Sequence, residues 1–171
     1  MKKLLYLMIM MFGFVWTSCQ KDDEVRPFVS INANWENAPD YTAGVWQVPY
    51  PDGTFEIPKS YKVYGSCDYM DSIDPEHSFF NTSEVVWDPL INGFRGIATV
   101  TLSAPTGDKL YMEGEYLAFL TQYNETYFNF TGGTGIFNAS EGWIKSTGQG
   151  DPITGHVFLD AAGKICEPIT K

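Results

Sequence analysis

The chain has 171 residues, of which 44% are hydrophobic, 16% aromatic and 19% charged, enough apolar material to close one substantial core. Eleven Lys and Arg against 21 Asp and Glu give a formal charge of −10, which argues against a nucleic-acid binder, because the phosphate backbone is held mainly through clustered cations. The low charge density and frequent aromatics equally exclude a disordered acidic polymer.

Met1-Lys2-Lys3 forms a short positive segment, residues 4–16 are uncharged and apolar, and the small pair Thr17-Ser18 precedes Cys19. This is the layout of a signal peptide over residues 1–18, too short to span a bilayer. Ser18-Cys19 resembles the lipobox of bacterial lipoproteins, although Trp16 stands where that pattern prefers Leu. The resemblance implies cleavage before Cys19, lipidation of its thiol and a membrane as partner through the lipid anchor; two or three acyl chains hold durably where one binds only marginally. Gln20-Lys21-Asp22-Asp23-Glu24 resembles the export signal of Bacteroidetes-type surface lipoproteins. That implies an outer-membrane, surface-exposed location, with the periplasmic face as the alternative. Residues 19–27 then form a polar tether, and a single domain occupies 28–171.

Four prolines and several aromatics mark residues 34–58, which read as a packed loop or edge region holding at most an extra strand or two. From Tyr61 onward, alternating or aromatic runs are punctuated by Gly, Pro, Asn and Asp, an all-β pattern with predicted strands at 61–70, 78–87, 93–103, 109–118, 122–131, 141–146 and 154–160. Period two puts Leu110, Met112, Tyr116 and Ala118 on one face, and Tyr111, Glu113, Glu115 and Leu117 on the other. The first set is expected inside, with Ala98, Val100, Leu102, Asn124, Thr126, Phe128 and Phe130. Short strands with short connections favour a single antiparallel β-barrel of about eight strands, with a β-sandwich as the alternative.

If Cys19 carries lipid, Cys67 and Cys166 remain as an even pair beyond the reducing cytosol. They lie near the ends of the first and last long strands, which would be neighbours at the seam of a barrel, so one disulfide is consistent with the sequence; two buried thiols are equally so.

The most distinctive stretch runs from Phe130 through Gly132, Gly133 and Gly135 to Gly142-Trp143, with glycines clustered where a strand must turn sharply. It lacks the Lys-Ser/Thr ending and following helix of a phosphate-binding loop. A strand into GGTG, then an aromatic, a Gly and a closing hairpin resembles the barrels of allene oxide cyclase-like and dirigent-like proteins. Ile136 stands where that pattern usually has Arg. The resemblance implies an eight-stranded barrel with a mostly apolar interior; no catalytic residue of either family maps onto this chain, so neither activity is carried over.

Glu113 and Glu115 share one strand face and read as solvated surface rather than a hydrolytic pair, which would flank a substrate. His77 and His156 are the only histidines and show no ligand spacing, so no metal or other cofactor is expected. Trp35, Tyr41, Trp46, Tyr50, Tyr111, Tyr123 and Tyr127 fall in loops or on outward faces, where flat rings suit the rim of a ligand pocket or sugar stacking; alternatively they belong to the rim and lid of the core, with residues 34–58 covering one barrel end. Asp71-Ser72-Ile73 resembles a short Bacteroidetes-type O-glycosylation sequence acting at Ser72. No reaction is predicted. The expected function is binding of a small hydrophobic molecule or glycan, with a protein-interaction scaffold or an enzyme on a small apolar or sugar substrate as alternatives.

Overall fold

The computed structural model describes residues 18–21 and 24–169, with side chains from residue 26 onward. Residues 1–17 of the predicted signal peptide and the side chain of Cys19 lie outside the described residues. The strands are β1 (Ser18–Lys21), β2 (Glu24–Pro39), β3 (Val45–Tyr50), β4 (Gly53–Pro58), β5 (Ser60–Cys67), β6 (Phe79–Asp88), β7 (Gly93–Ser103), β8 (Lys109–Phe119), β9 (Tyr123–Gly133), β10 (Gly142–Gly150) and β11 (Val157–Cys166). Single 3-10 turns occupy Tyr41–Ala43 and Gly135–Phe137.

Strands β5 to β11 pair antiparallel in chain order. β2 then pairs on one side with β11, Phe28 opposite Cys166 through Asn37 opposite Val157, and on the other with β5, Ala33 opposite Cys67 through Pro39 opposite Tyr61. Eight strands therefore return on themselves as one antiparallel barrel, which excludes the sandwich; β1 only extends the sheet beside the start of β2. Period two sets the interior: Leu110, Met112 and Tyr116 on β8, Ala98, Val100 and Leu102 on β7, and Phe128 and Phe130 on β9 are all buried, as the alternation predicts.

Residues 34–58 are not a loop or edge throughout. Asn34 to Pro39 complete β2, a strand paired on both sides, while β3 and β4 form a separate two-stranded hairpin. The prolines misled because they sit at boundaries: Pro39 ends β2, Pro58 ends β4, Pro51 is in the hairpin turn, and Pro49 lies in a hairpin strand with a free edge. A period-two signal was nevertheless present, with Ile31, Ala33, Trp35 and Asn37 buried and Ser30, Asn32 and Asn34 exposed.

The Cys67–Cys166 bridge that the sequence allowed does not form. Cys67 is a free, buried thiol, whereas Cys166 is disulfide-bonded elsewhere. The insertion of β2 between β5 and β11 separates them: Cys67 lies opposite Ala33 and Cys166 opposite Phe28, two strands apart across the sheet and about 17 Å apart along it at strand rise. A disulfide tolerates no Cα separation above about 7 Å.

The glycine-rich turn closes the lower end of the barrel. Gly132 (φ 125°) and Gly135 (φ 60°) take the left-handed conformations that favour glycine, beside a bulge where Tyr111 and Met112 face Gly132 and Phe130. The turn delivers Phe137, fully buried, to the barrel floor near Leu110 and Ile165. Arg26 is buried at the same end and donates to the carbonyls of Glu167 (2.8 Å), Ala139 (3.2 Å) and Asn138 (3.3 Å), so its charge is met by backbone dipoles.

Phe128 meets Phe80 edge-on at 5.8 Å in the middle of this core. Phe128→Ala should cost about 3–5 kcal/mol in urea unfolding, the usual penalty for an aromatic cavity. Burial pushes the Cys67 thiol from its ordinary 9.0 up to about 12, with the Asp68 charge adding to it. The folded state then holds a proton that the unfolded chain releases, so this contribution to stability is intact below about pH 9 and lost as pH rises to about 12. Cys67→Val should flatten the fall in stability above about pH 9, and a thiol reagent should label Cys67 only in denaturant.

Candidate functional site

At the opposite end the barrel stays open. A cavity of about 440 Å³ enters between the tops of the strands, walled by Tyr61, Phe80, Phe94, Tyr116, Val157 and Leu159. Its rings form a continuous aromatic lining, Tyr61 edge-on to Phe80 at 5.8 Å and Phe80 edge-on to Tyr116 at 5.8 Å. Tyr116 is placed by the residue opposite it on β7: Gly96 has no side chain, and a Cβ there would come within 2.5 Å of the Tyr116 ring.

The β3–β4 hairpin forms one side of the mouth. Val48 and Ile57 pack on Phe94 as a small second core, and Phe55, Tyr50 and Trp87 surround the Phe94 ring at 4.9, 6.0 and 5.3 Å. Trp46 fastens the hairpin by donating its indole N–H to Thr82 Oγ1 at 3.0 Å, while the Thr82 hydroxyl donates to the Pro58 carbonyl at 2.9 Å. Lys59 Nζ lies 4.6 Å from the Trp46 ring centroid. The reading of this segment as cover for one barrel end thus describes the hairpin well.

Two polar groups in the cavity wall have no partner. Asn37 is 3% exposed and its Oδ1 accepts no hydrogen bond; Tyr116 is 6% exposed and its hydroxyl is likewise unpaired. They stand on opposite walls, since β2 and β8 are four strands apart in a ring of eight. Burial holds the Tyr116 and Tyr61 phenols well above the ordinary tyrosine range, so both remain neutral hydroxyls. The charged residues touching the cavity are the acids Glu56, Glu125 and Asp151, none of them buried. Glu125 accepts from the Tyr127 hydroxyl at 2.7 Å and lies 3.5 Å from Lys145, and Asp151 accepts from Ile153 N and Thr154 Oγ1 at 2.8 Å. Both carboxylates are held below their ordinary range, Glu125 chiefly by the Tyr127 hydroxyl and Asp151 chiefly by the Ile153 amide.

Of the seven aromatics predicted for the rim, Tyr41 lines the cavity and the other six do not, Tyr50 packing instead against Phe94. Trp35 is 2% exposed, an inward residue of β2 within the core, because the strand extends further than its prolines suggested. Trp46 serves the hairpin. Tyr111, Tyr123 and Tyr127 lie on β8 and β9, with Tyr127 exposed and stacked by Lys145 at 4.8 Å. Tyr41 is joined at the rim by Phe55, Leu120 and Ile153, all exposed. Alternation had placed Tyr116 and Thr126 inward; Asn37 was missed with the end of β2. Glu113 is exposed and Glu115 meets Arg95 at 3.2 Å on the outer surface. His77 bonds Asp74 at 2.7 Å, and His156 bonds Glu36. Ser72 is exposed in the connection between β5 and β6.

No family model and no curated protein matches the sequence. Among solved structures, a pterocarpan synthase dirigent protein aligns with 88% of this chain and 100% of its own at 13% identity, with a TM-score of 0.51. A second pterocarpan synthase dirigent protein covers 90% of this chain and 91% of its own, again at 13% identity, with a TM-score of 0.45. The chain therefore has a dirigent-like β-barrel fold.

Because the Tyr116 hydroxyl bonds nothing, Tyr116→Phe should leave the ligand-free protein as stable as before, or more stable by up to about 1 kcal/mol, in urea unfolding. A loss above about 1.5 kcal/mol would show that the hydroxyl has a partner.

Proposed function

We propose that the chain is a non-catalytic binding module that takes a small, mostly apolar molecule into the barrel mouth, and that a lipid on Cys19 holds it at the cell envelope. The observation that carries the binding reading is the cavity: about 440 Å³, aromatic-walled, with two neutral hydrogen-bonding groups buried and unsatisfied inside it. Size and lining suit a small ligand, and an apolar wall suits a hydrophobic molecule better than a glycan. The buried charged residue among those described is Arg26, at the other end of the barrel, so the cavity interior offers no ionised acid or base for proton transfer.

Strand direction adds an orientation to the anchoring reading. β1 sets Cys19 opposite Arg26, and Asn37 lies eleven residues beyond Arg26 along β2, about 37 Å at strand rise. A chain tethered through Cys19 thus presents its mouth away from the attachment point, toward ligand arriving from outside. Lipidation at Cys19, the Bacteroidetes-type export signal and glycosylation at Ser72 rest on the sequence motifs.

Native mass spectrometry of the protein isolated from its own envelope tests both parts. A small molecule released on denaturation, together with acyl mass on Cys19, is the expected result. A cavity that neither retains a molecule nor binds an uncharged apolar dye such as Nile red would overturn the binding reading.

A further inference from the structure

The polarity of the cavity constrains its ligand more narrowly than size does. Among the described residues, every charged one that touches the cavity is acidic, none of the three is buried, and no Lys, Arg or His lines it. A carboxylate, sulfate or phosphate head group would meet no cation inside and would pass the carboxylates of Glu56 and Asp151, and that of Glu125 with its Lys145 partner, to enter. An ammonium would be drawn to the mouth, but inside it would lose its hydration with no carboxylate to replace it. Charge of either sign is therefore penalised, negative charge twice.

What the interior does offer is a pair of neutral groups on facing walls. Asn37 Oδ1 accepts, and the Tyr116 hydroxyl, held in its protonated form by burial, donates. Each is more than nine-tenths buried and lacks a partner, which costs about 1–3 kcal/mol for each group left unsatisfied. The ligand group that answers both is one that donates and accepts together while carrying no charge. Resting on the binding reading above, we infer that the cavity selects an uncharged apolar molecule bearing a hydroxyl, inserted with that hydroxyl toward Asn37 and Tyr116 and its apolar body against Phe80, Phe94, Val157 and Leu159.

Three probes of equal chain length isolate the head group: octan-1-ol, octylamine and octanoate, each displacing Nile red from the full chain at pH 7.5. Octan-1-ol should displace the dye at a concentration at least about tenfold below octanoate, with octylamine weaker than the alcohol. Asn37→Leu and Tyr116→Phe, which keep side-chain volume, should bring the alcohol to within about threefold of octanoate while Nile red still binds. Octanoate competing as well as octan-1-ol, or an alcohol preference unchanged in both variants, overturns the inference and leaves the binding reading standing. Failure of Nile red and all three probes to bind overturns both.

Discussion

The barrel exists because β2 satisfies two sheet edges at once. The seven strands from β5 to β11 form a meander whose first and last members would each present a row of unpaired backbone donors and acceptors. β2 pairs with both, along Phe28 to Asn37 on one side and Ala33 to Pro39 on the other. Its position also decides the fate of the cysteines, since it occupies the place where β5 and β11 would otherwise have met. The same strand supplies Ile31, Ala33 and Trp35 to the core and Asn37 to the cavity. Closure, packing and the polar feature of the mouth therefore depend on one segment near the N-terminus.

Along the barrel axis the interior changes character. The lower half is filled by Leu102, Leu110, Met112, Phe137, Ile144 and Ile165, all fully buried, with the Arg26 guanidinium satisfied by carbonyls at the base. The upper half is lined by larger rings and by Thr82, Thr126, Asn37 and Tyr116, and there the packing opens into space. Thr82 bonds Pro58 and Trp46, and Thr126 bonds Ser146, so these polar groups are part of the structure. Asn37 and Tyr116 are different: Leu and Phe would fill the same volumes without leaving a buried polar atom unpaired. On the proposed reading, that local loss of stability is recovered when ligand binds.

Much of the architecture was legible because β structure writes its inward face into every second residue. Leu110, Met112 and Tyr116, and likewise Phe128 and Phe130, declared their orientation through period-two alternation, and turn residues such as Asn92 and Gly107, both at positive φ, marked the connections. The same signal ran through Ile31, Ala33, Trp35 and Asn37, but the prolines that follow obscured it. The site was less legible. The predicted rim followed aromatic content, which marks equally a core residue such as Trp35, a fastening such as Trp46 and a surface ring such as Tyr127.

An all-β chain, the inward residues of most strands and the sharp glycine turn at Gly132 to Gly135 were written in the amino-acid order, because these follow from local periodicity and backbone conformational freedom. That residues 28–39 close the ring, that Cys67 stays a free thiol, and that the cavity lies at the end where Asn37 and Tyr116 stand on opposite walls emerged with the pairing of the strands. Period two distinguishes inside from outside, but it carries no information about height along the barrel or about which distant strands become neighbours. Those are set by pairing between segments separated by most of the chain, and by how completely the side chains at each level fill the space between them.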